Sequence, residues 1–127
     1  MQMFRVPAAD GGGDASIIVT SDFGAAAQAA QPYAQAQVAA LSEKFTGFRL
    51  LSLREQPVDG VAAAILDYEW SSSGELLRQR QAYVPSPRCM FTLSLTARAQ
   101  AFPQLENAWA TVLGSIQLQN DGRCRQV

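Results

Sequence analysis

The sequence has no histidine and only two cysteines among its 127 residues. Without histidine, neither an imidazole acid/base nor a histidine-ligated metal can operate. Lysine occurs once, as Lys44, and basic and acidic residues nearly cancel, at ten against eleven. No basic run exists, so the electrostatic footprint of a nucleic-acid binder is missing and none is expected as a partner. No stretch approaches the roughly 20 apolar residues of a membrane span. The opening MQMFRVPAADGGG lacks the apolar core of a signal peptide. The expectation is a soluble cytoplasmic protein that is not itself embedded in a membrane. Gly11-Gly12-Gly13 is followed by neither a lysine-hydroxyl pair nor a helix, so it reads as a hairpin connection rather than a phosphate loop. Cys89 and Cys124 are far apart with no spacing that supports a disulfide, and Cys89 reads as a core residue.

What is present is mostly apolar: 48% hydrophobic against 17% charged. That composition can bury a core and argues against disorder. The centre of the chain, residues 61 to 97, is cut by Ser71-Ser72-Ser73-Gly74 and Pro85-Ser86-Pro87 into three runs of alternating character. Alternation joined by short polar turns predicts an antiparallel meander. In the third run Cys89, Phe91, Leu93, Leu95 and Ala97 oppose Met90, Thr92, Ser94 and Thr96.

Met1 to Val6 and ASIIVTS (15 to 21) read as two further strands, paired across the glycine-rich loop. PYAQAQVAALSEKF reads as a helix to about Phe45, with Pro32 in its first turn and Ala34, Val38, Leu41 and Phe45 as its apolar stripe. Gly47 is placed to end it. Phe48 to Gln56 is a strand, and Val58-Asp59-Gly60 turns the chain into the meander. Phe102, Leu105, Ala108, Trp109, Val112, Leu113 and Ile116 recur at helical spacing after Pro103, with Trp109 read as core. Residues 120 to 127 read as a frayed tail of a single domain spanning 1–127. Strands interrupted by two helices give an α+β fold: an antiparallel sheet with both helices packed on one face.

Turns at Ser71–Gly74 and Pro85–Arg88 would set Leu66 opposite Gln79, Ala64 opposite Gln81, Gln81 near Thr92 and Gln79 near Ser94. One face then gathers Val61, Ile65, Val84, Cys89, Phe91, Leu93 and Leu95 under the helices. The other carries Ala64, Leu66, Tyr68, Leu77, Gln79, Gln81, Met90, Thr92 and Ser94. A slip of one residue would exchange the faces. Glutamines on a sheet surface are ordinarily just solvated. Here they share the face with Leu66, Tyr68, Leu77, Tyr83 and Met90, an apolar patch that calls for a cover, a ligand or a partner. Trp70, at a strand end, is open to a core or an interface role. Asp67 and Glu69 are spaced to act as paired carboxylates. Arg78 and Arg80 fall on the same face of the next strand, so a salt-bridge ladder is the better account and no enzyme is expected.

The runs SIIVTSD, FTGFRLLSLREQPVDGVAAAILDYEW, GELLRQRQAYV and MFTLSLTA resemble a bacterial family of small DcrB-like domains, whose characterised members are the Eag chaperones of type VI secretion systems. The resemblance covers roughly residues 15 to 118. Its best marks are Gly60-Val61-Ala62-Ala63, Arg78-Gln79-Arg80-Gln81 and the final SIQL. It implies a PsbP-like fold with a curved antiparallel sheet, no cofactor, and a commonly dimeric cytoplasmic protein. It also implies that the partner is an effector, often of PAAR or Rhs type, whose N-terminal transmembrane helices the domain shields. The sequence departs from the family in lacking an earlier strand with a proline and tryptophan. On this reading the client groove is Ile18, Ala64, Leu66, Tyr68, Leu77, Gln79, Gln81, Met90, Thr92 and Ser94, with no catalytic and no metal-ligating residue. A small-ligand or lipid-binding module of the same fold is the alternative.

Overall fold

The computed structural model describes residues 2–7, 14–25, 28–86 and 89–115. Their order is β1 (Gln2–Pro7), β2 (Asp14–Asp22), a 3₁₀ turn (Phe23–Ala25), α1 (Ala30–Lys44), β3 (Arg49–Val58), β4 (Val61–Ser72), β5 (Glu75–Pro85), β6 (Met90–Arg98), a 3₁₀ segment (Ala99–Leu105) and α2 (Glu106–Gly114). Among the described residues, six strands form one sheet in the order β1-β2-β6-β5-β4-β3, every neighbour antiparallel. The α+β class and the antiparallel sheet with two helices are as the sequence predicts.

The hairpin turns explain the register. Ser73 and Gly74 both have positive φ (51° and 79°), as do Asp59 and Gly60 (50° and 77°). Two residues of that kind make the tight turn whose twist matches paired strands. Ser72 therefore pairs with Glu75, and Leu66 with Gln81 rather than Gln79. Likewise Gln81 meets Ser94, and Gln79 meets Thr96. Both pairings differ from the sequence expectation by two positions. Side chains alternate with a period of two, so a two-residue slip leaves every residue on its predicted face.

The helices lie on opposite faces, not on one. On one face Ile65, Ala82, Val84, Phe91, Leu93 and Leu95 pack with Phe102, Leu105, Trp109 and Leu113 of the 3₁₀ segment and α2. On the other, Ala64, Leu66, Tyr68, Trp70, Tyr83 and Met90 pack with Ala30, Ala34, Val38, Leu41 and Phe45 around α1. The reason is in the side chains. Both faces of β4 and β5 carry large apolar residues, and each fully buried one is worth about 1.5–3 kcal/mol. One cover would leave Leu66, Tyr68, Trp70 and Met90 bare. The connection supplies the second cover, because β2 and β3 are on opposite sides of the sheet and α1 crosses between them. Ala30 and Ala34, both buried, let the helix backbone approach the sheet closely. Gly47 (φ 67°) follows, and the Ser71 amide donates to the Thr46 carbonyl at 3.0 Å, tying the helix exit to the β4–β5 hairpin.

The second helix is shorter than its apolar pattern suggests. Pro103 sits within a 3₁₀ segment, and the α-helical part begins at Glu106. Ile116, the frayed tail and Cys124 lie outside the described residues. Cys89 is buried, as expected, and is disulfide-bonded, which the sequence spacing did not indicate.

Candidate functional site

β4, β5, β6 and β2 run side by side, so the face on the α1 side can be read as rows across four strands. One row is Ala64, Tyr83, Thr92, Thr20. The next is Leu66, Gln81, Ser94, Ile18. The third is Tyr68, Gln79, Thr96, Ser16. Helix α1 lies over β3, β4 and β5. It splits each row into a covered and an uncovered half.

In the covered half Ala64, Leu66 and Met90 are fully buried and Tyr68 is 1% exposed. These four residues of the sequence-derived groove are core, and they present no open surface. Tyr68 is boxed by Phe45, Phe48 and Trp70, with ring centroids 6.2, 5.3 and 5.5 Å away. Trp70 stacks on Phe45 at 4.5 Å, which settles it as packing under α1. Tyr83 meets the edge of Tyr33 at 5.3 Å, and the Tyr33 hydroxyl donates to the Asp22 carboxylate at 2.9 Å. Burial and that acceptor push the Tyr33 pKa up to about 12.

The remaining six predicted residues fall in or beside the uncovered half. Ile18, Leu77, Gln79 and Gln81 are half-buried, and Thr92 and Ser94 are each 8% exposed, short side chains on the floor between longer neighbours. Ser16, Thr20 and Thr96 belong to the same surface, all half-buried. The sequence-derived groove lacks all three, although alternation in the third run already puts Thr96 on this face. Alternation carried across the β2–β6 pair, once that pairing is fixed, finds them.

Hydrogen bonds join the halves. The Tyr68 hydroxyl donates to Gln79 Oε1, and the Tyr83 hydroxyl donates to Gln81 Oε1. Gln81 Nε2 donates onward to Ser94 Oγ at 3.1 Å. Burial raises the pKa of both tyrosines well above the ordinary value, so both hydroxyls keep their protons. None of the described side chains on this uncovered floor (Ser16, Ile18, Thr20, Gln79, Gln81, Thr92, Ser94, Thr96) is ionisable. The surface can therefore make neutral hydrogen bonds and apolar contacts. Among its described side chains the serine and threonine hydroxyls have no ionisable floor neighbour to act as a general base.

The opposite face holds the buried ion-pair network, while Asp22, Glu75 and Arg98 lie at the margins of the α1 face. Asp67 Oδ1 accepts from Arg80 Nε at 2.9 Å and from Arg78 at 3.1 Å. Arg80 also reaches both carboxylate oxygens of Glu106 on α2, and Arg49 pairs with Glu69. Arg78 and Arg80 stack on the Phe102 ring, 4.6 and 5.6 Å from its centroid. The ladder the sequence suggests is present in part: Arg78 and Arg80 both engage Asp67, while Glu69 is taken by Arg49 of β3. The hydrogen bond from Arg80 holds the Glu106 carboxyl below the usual range. Among the described residues no group of histidine, cysteine, aspartate or glutamate could hold a metal ion.

Comparison with known proteins gives four results. A family model described as DcrB matches residues 1–115. The chain is 26% identical over 119 residues to a Pseudomonas aeruginosa protein described as "Effector EagT6", covering 91% of this chain and 81% of that one. In fold it is similar to a Pseudomonas aeruginosa protein of unknown function, PA94, with a TM-score of 0.83 and 24% identity over 93% of this chain and 82% of that one. It is also similar to LpqN of Mycobacterium tuberculosis, described as involved in cell envelope biogenesis, with a TM-score of 0.55 and 17% identity over 90% of this chain and 76% of that one.

Proposed function

We propose that this chain, which belongs to the DcrB family, serves type VI secretion as a cytoplasmic chaperone that shields a transmembrane segment of an effector on the uncovered half of its α1 face. The relative EagT6 carries the name of the chaperone group that residues 15–118 resemble. The observation that carries the reading is the surface itself: a floor of Thr92, Ser94, Thr96, Gln79, Gln81 and Ile18, uncharged in its described side chains and lying beside a helix already packed on the same face. Helices pack side by side at about 8–10 Å, or two strand spacings. A second helix next to α1 would thus lie over β6 and β2. Small hydroxylated residues let its backbone come close, as between helices in a membrane. A floor whose described side chains are uncharged suits an uncharged client, because a buried ion without a partner is costly.

Leu77 to Tyr83 spans about 20 Å of strand, the length of roughly 13 helical residues. A membrane-spanning segment needs about 20. One chain covers about two-thirds of such a client, and a second copy would complete the cover. The reading therefore includes a homodimer.

The test is co-expression with the N-terminal membrane segments of a PAAR or Rhs effector encoded beside it. The expected result is a soluble complex, lost in Ile18→Asp while that variant keeps its melting temperature. A segment that stays insoluble with the wild-type chain, or an Ile18→Asp variant that still holds it, would overturn the proposal.

A further inference from the structure

The two glutamines are not free side chains that happen to face the floor. Each has its carbonyl oxygen occupied by a tyrosine from beneath α1: Gln79 by Tyr68 and Gln81 by Tyr83. A primary amide has one acceptor oxygen and two N–H donors, and rotating it by half a turn exchanges them. A buried tyrosine hydroxyl requires a partner. With the hydroxyl donating to the oxygen, the amide's N–H groups point away from α1.

Tyr68 cannot swing away. Its ring is enclosed by Phe45, Phe48 and Trp70, and Tyr83 is held against Tyr33. Gln81 then spends one donor on Ser94. Ser94, having accepted that bond, keeps its own O–H for something else. Among the described residues Gln79 spends neither donor. Among them the Thr92 hydroxyl also has no hydrogen-bond partner, although the residue is 8% exposed. The chain of contacts runs from α1 to the tyrosine rings, to the amide oxygens, to N–H and O–H groups turned outward.

We propose that Tyr68 and Tyr83 are positioning residues that make the floor a hydrogen-bond donor, so that the site selects clients presenting oxygen acceptors. This rests on the chaperone reading above. In an apolar helix the available acceptors are serine or threonine hydroxyls, and backbone carbonyls laid bare where the side chain is small. The partner chemistry is thus an apolar helix with serines about four residues apart. The floor rows are two strand residues apart, about 6.6 Å, and one helical turn rises about 5.4 Å.

The test uses two soluble fusions, one bearing a segment of about 20 leucines and alanines and one with two serines four residues apart in the same segment. The wild-type chain should prefer the serine segment by about fivefold per hydrogen bond gained. Tyr68→Phe keeps the ring and its three aromatic contacts and removes only the hydroxyl. It should reduce the preference by about fivefold, leave affinity for the plain segment within about twofold, and show no further loss when combined with Gln79→Ala. Tyr83→Phe with Gln81→Ala should repeat the pattern. A merely structural tyrosine would weaken both segments equally. Loss of preference in Gln79→Ala but not in Tyr68→Phe overturns the proposal.

A second measurement needs no client. In the free protein the Gln79 side-chain amide should be ordered by NMR relaxation and should lose that order in Tyr68→Phe. An unchanged amide overturns the positioning role. Failure of the wild type to bind either segment overturns the chaperone reading instead, and the amide measurement then decides the positioning role alone.

Discussion

The two faces of one sheet are closed by different physics. On the α2 face a continuous aliphatic and aromatic layer is bordered by buried ion pairs, with Arg80 tied to both Asp67 and Glu106. On the α1 face the cover is an alanine-rich helix resting on aromatic rings, and it stops halfway across. Polar contacts in its middle are neutral, between tyrosine, glutamine and serine, and charge is confined to its margins, where Tyr33 meets Asp22 and Arg98 pairs with Glu75. Ion pairs tolerate burial only in fixed geometry with every partner present, which suits a face that stays closed. Neutral amides and hydroxyls cost far less to cover and uncover, which suits a face that exchanges partners.

The sharpest way to break this contrast is an aspartate in each region. Leu93→Asp on the α2 face and Leu66→Asp under α1 should both abolish cooperative folding. Each side chain is essentially fully buried, and an unpaired carboxylate there costs more than a marginal domain can bear, on the order of 5 kcal/mol. Ile18→Asp, beyond the edge of α1, should fold. Thermal melts decide. A folded Leu66→Asp would show that α1 does not seal its half. The sequence pattern alone led to the opposite expectation for Leu66, since it put that residue on the uncovered face.

A smaller effect separates the polar networks. Arg80→Met should cost about 3–5 kcal/mol in urea unfolding, because it leaves buried Asp67 with Arg78 as its remaining cation and only a long bond from Ser52 besides. Glu106→Gln, whose carboxylate is 52% exposed, should cost under about 1 kcal/mol. Equal costs would mean that the bond to α2, not the buried carboxylate, dominates the network.

The smallest expected effect lies in the pH dependence. Tyr68 and Tyr83 have folded-state pKa values raised above the ordinary 10.0 by burial. Their contribution is fully present below pH 10 and is lost as pH rises further, because only the unfolded chain can ionise them. Tyrosinate absorbance should thus appear together with unfolding, and Tyr68→Phe should soften the alkaline transition. Tyrosinate absorbance from a still-folded protein, at the pH of a free tyrosine, would contradict this burial.

Much of the architecture was legible before any coordinates. Alternation in 61–97 defines three strands and their faces, and the pairs Asp59-Gly60 and Ser73-Gly74 mark turns. Arg78 and Arg80 opposite Asp67 and Glu69 announce the ion-pair ladder. Errors of two residues in both hairpins did no harm to the faces.

What the sequence by itself determined was periodic: which residues are strands, and which side chains share a face. That follows because backbone geometry repeats every two residues whatever the chain does elsewhere. Only the tertiary structure decided where α1 goes. Its amphipathic pattern is weak: Ala30, Ala34, Val38, Leu41 and Phe45 form a stripe, while alanine, the residue that makes its closest contacts, also occupies exposed positions at 36, 39 and 40. Alanine burial leaves little imprint on a pattern, so nothing local says which sheet face such a helix will take. The connection across the sheet from β2 to β3 says it, and with it which half of the face is core and which half α1 leaves uncovered.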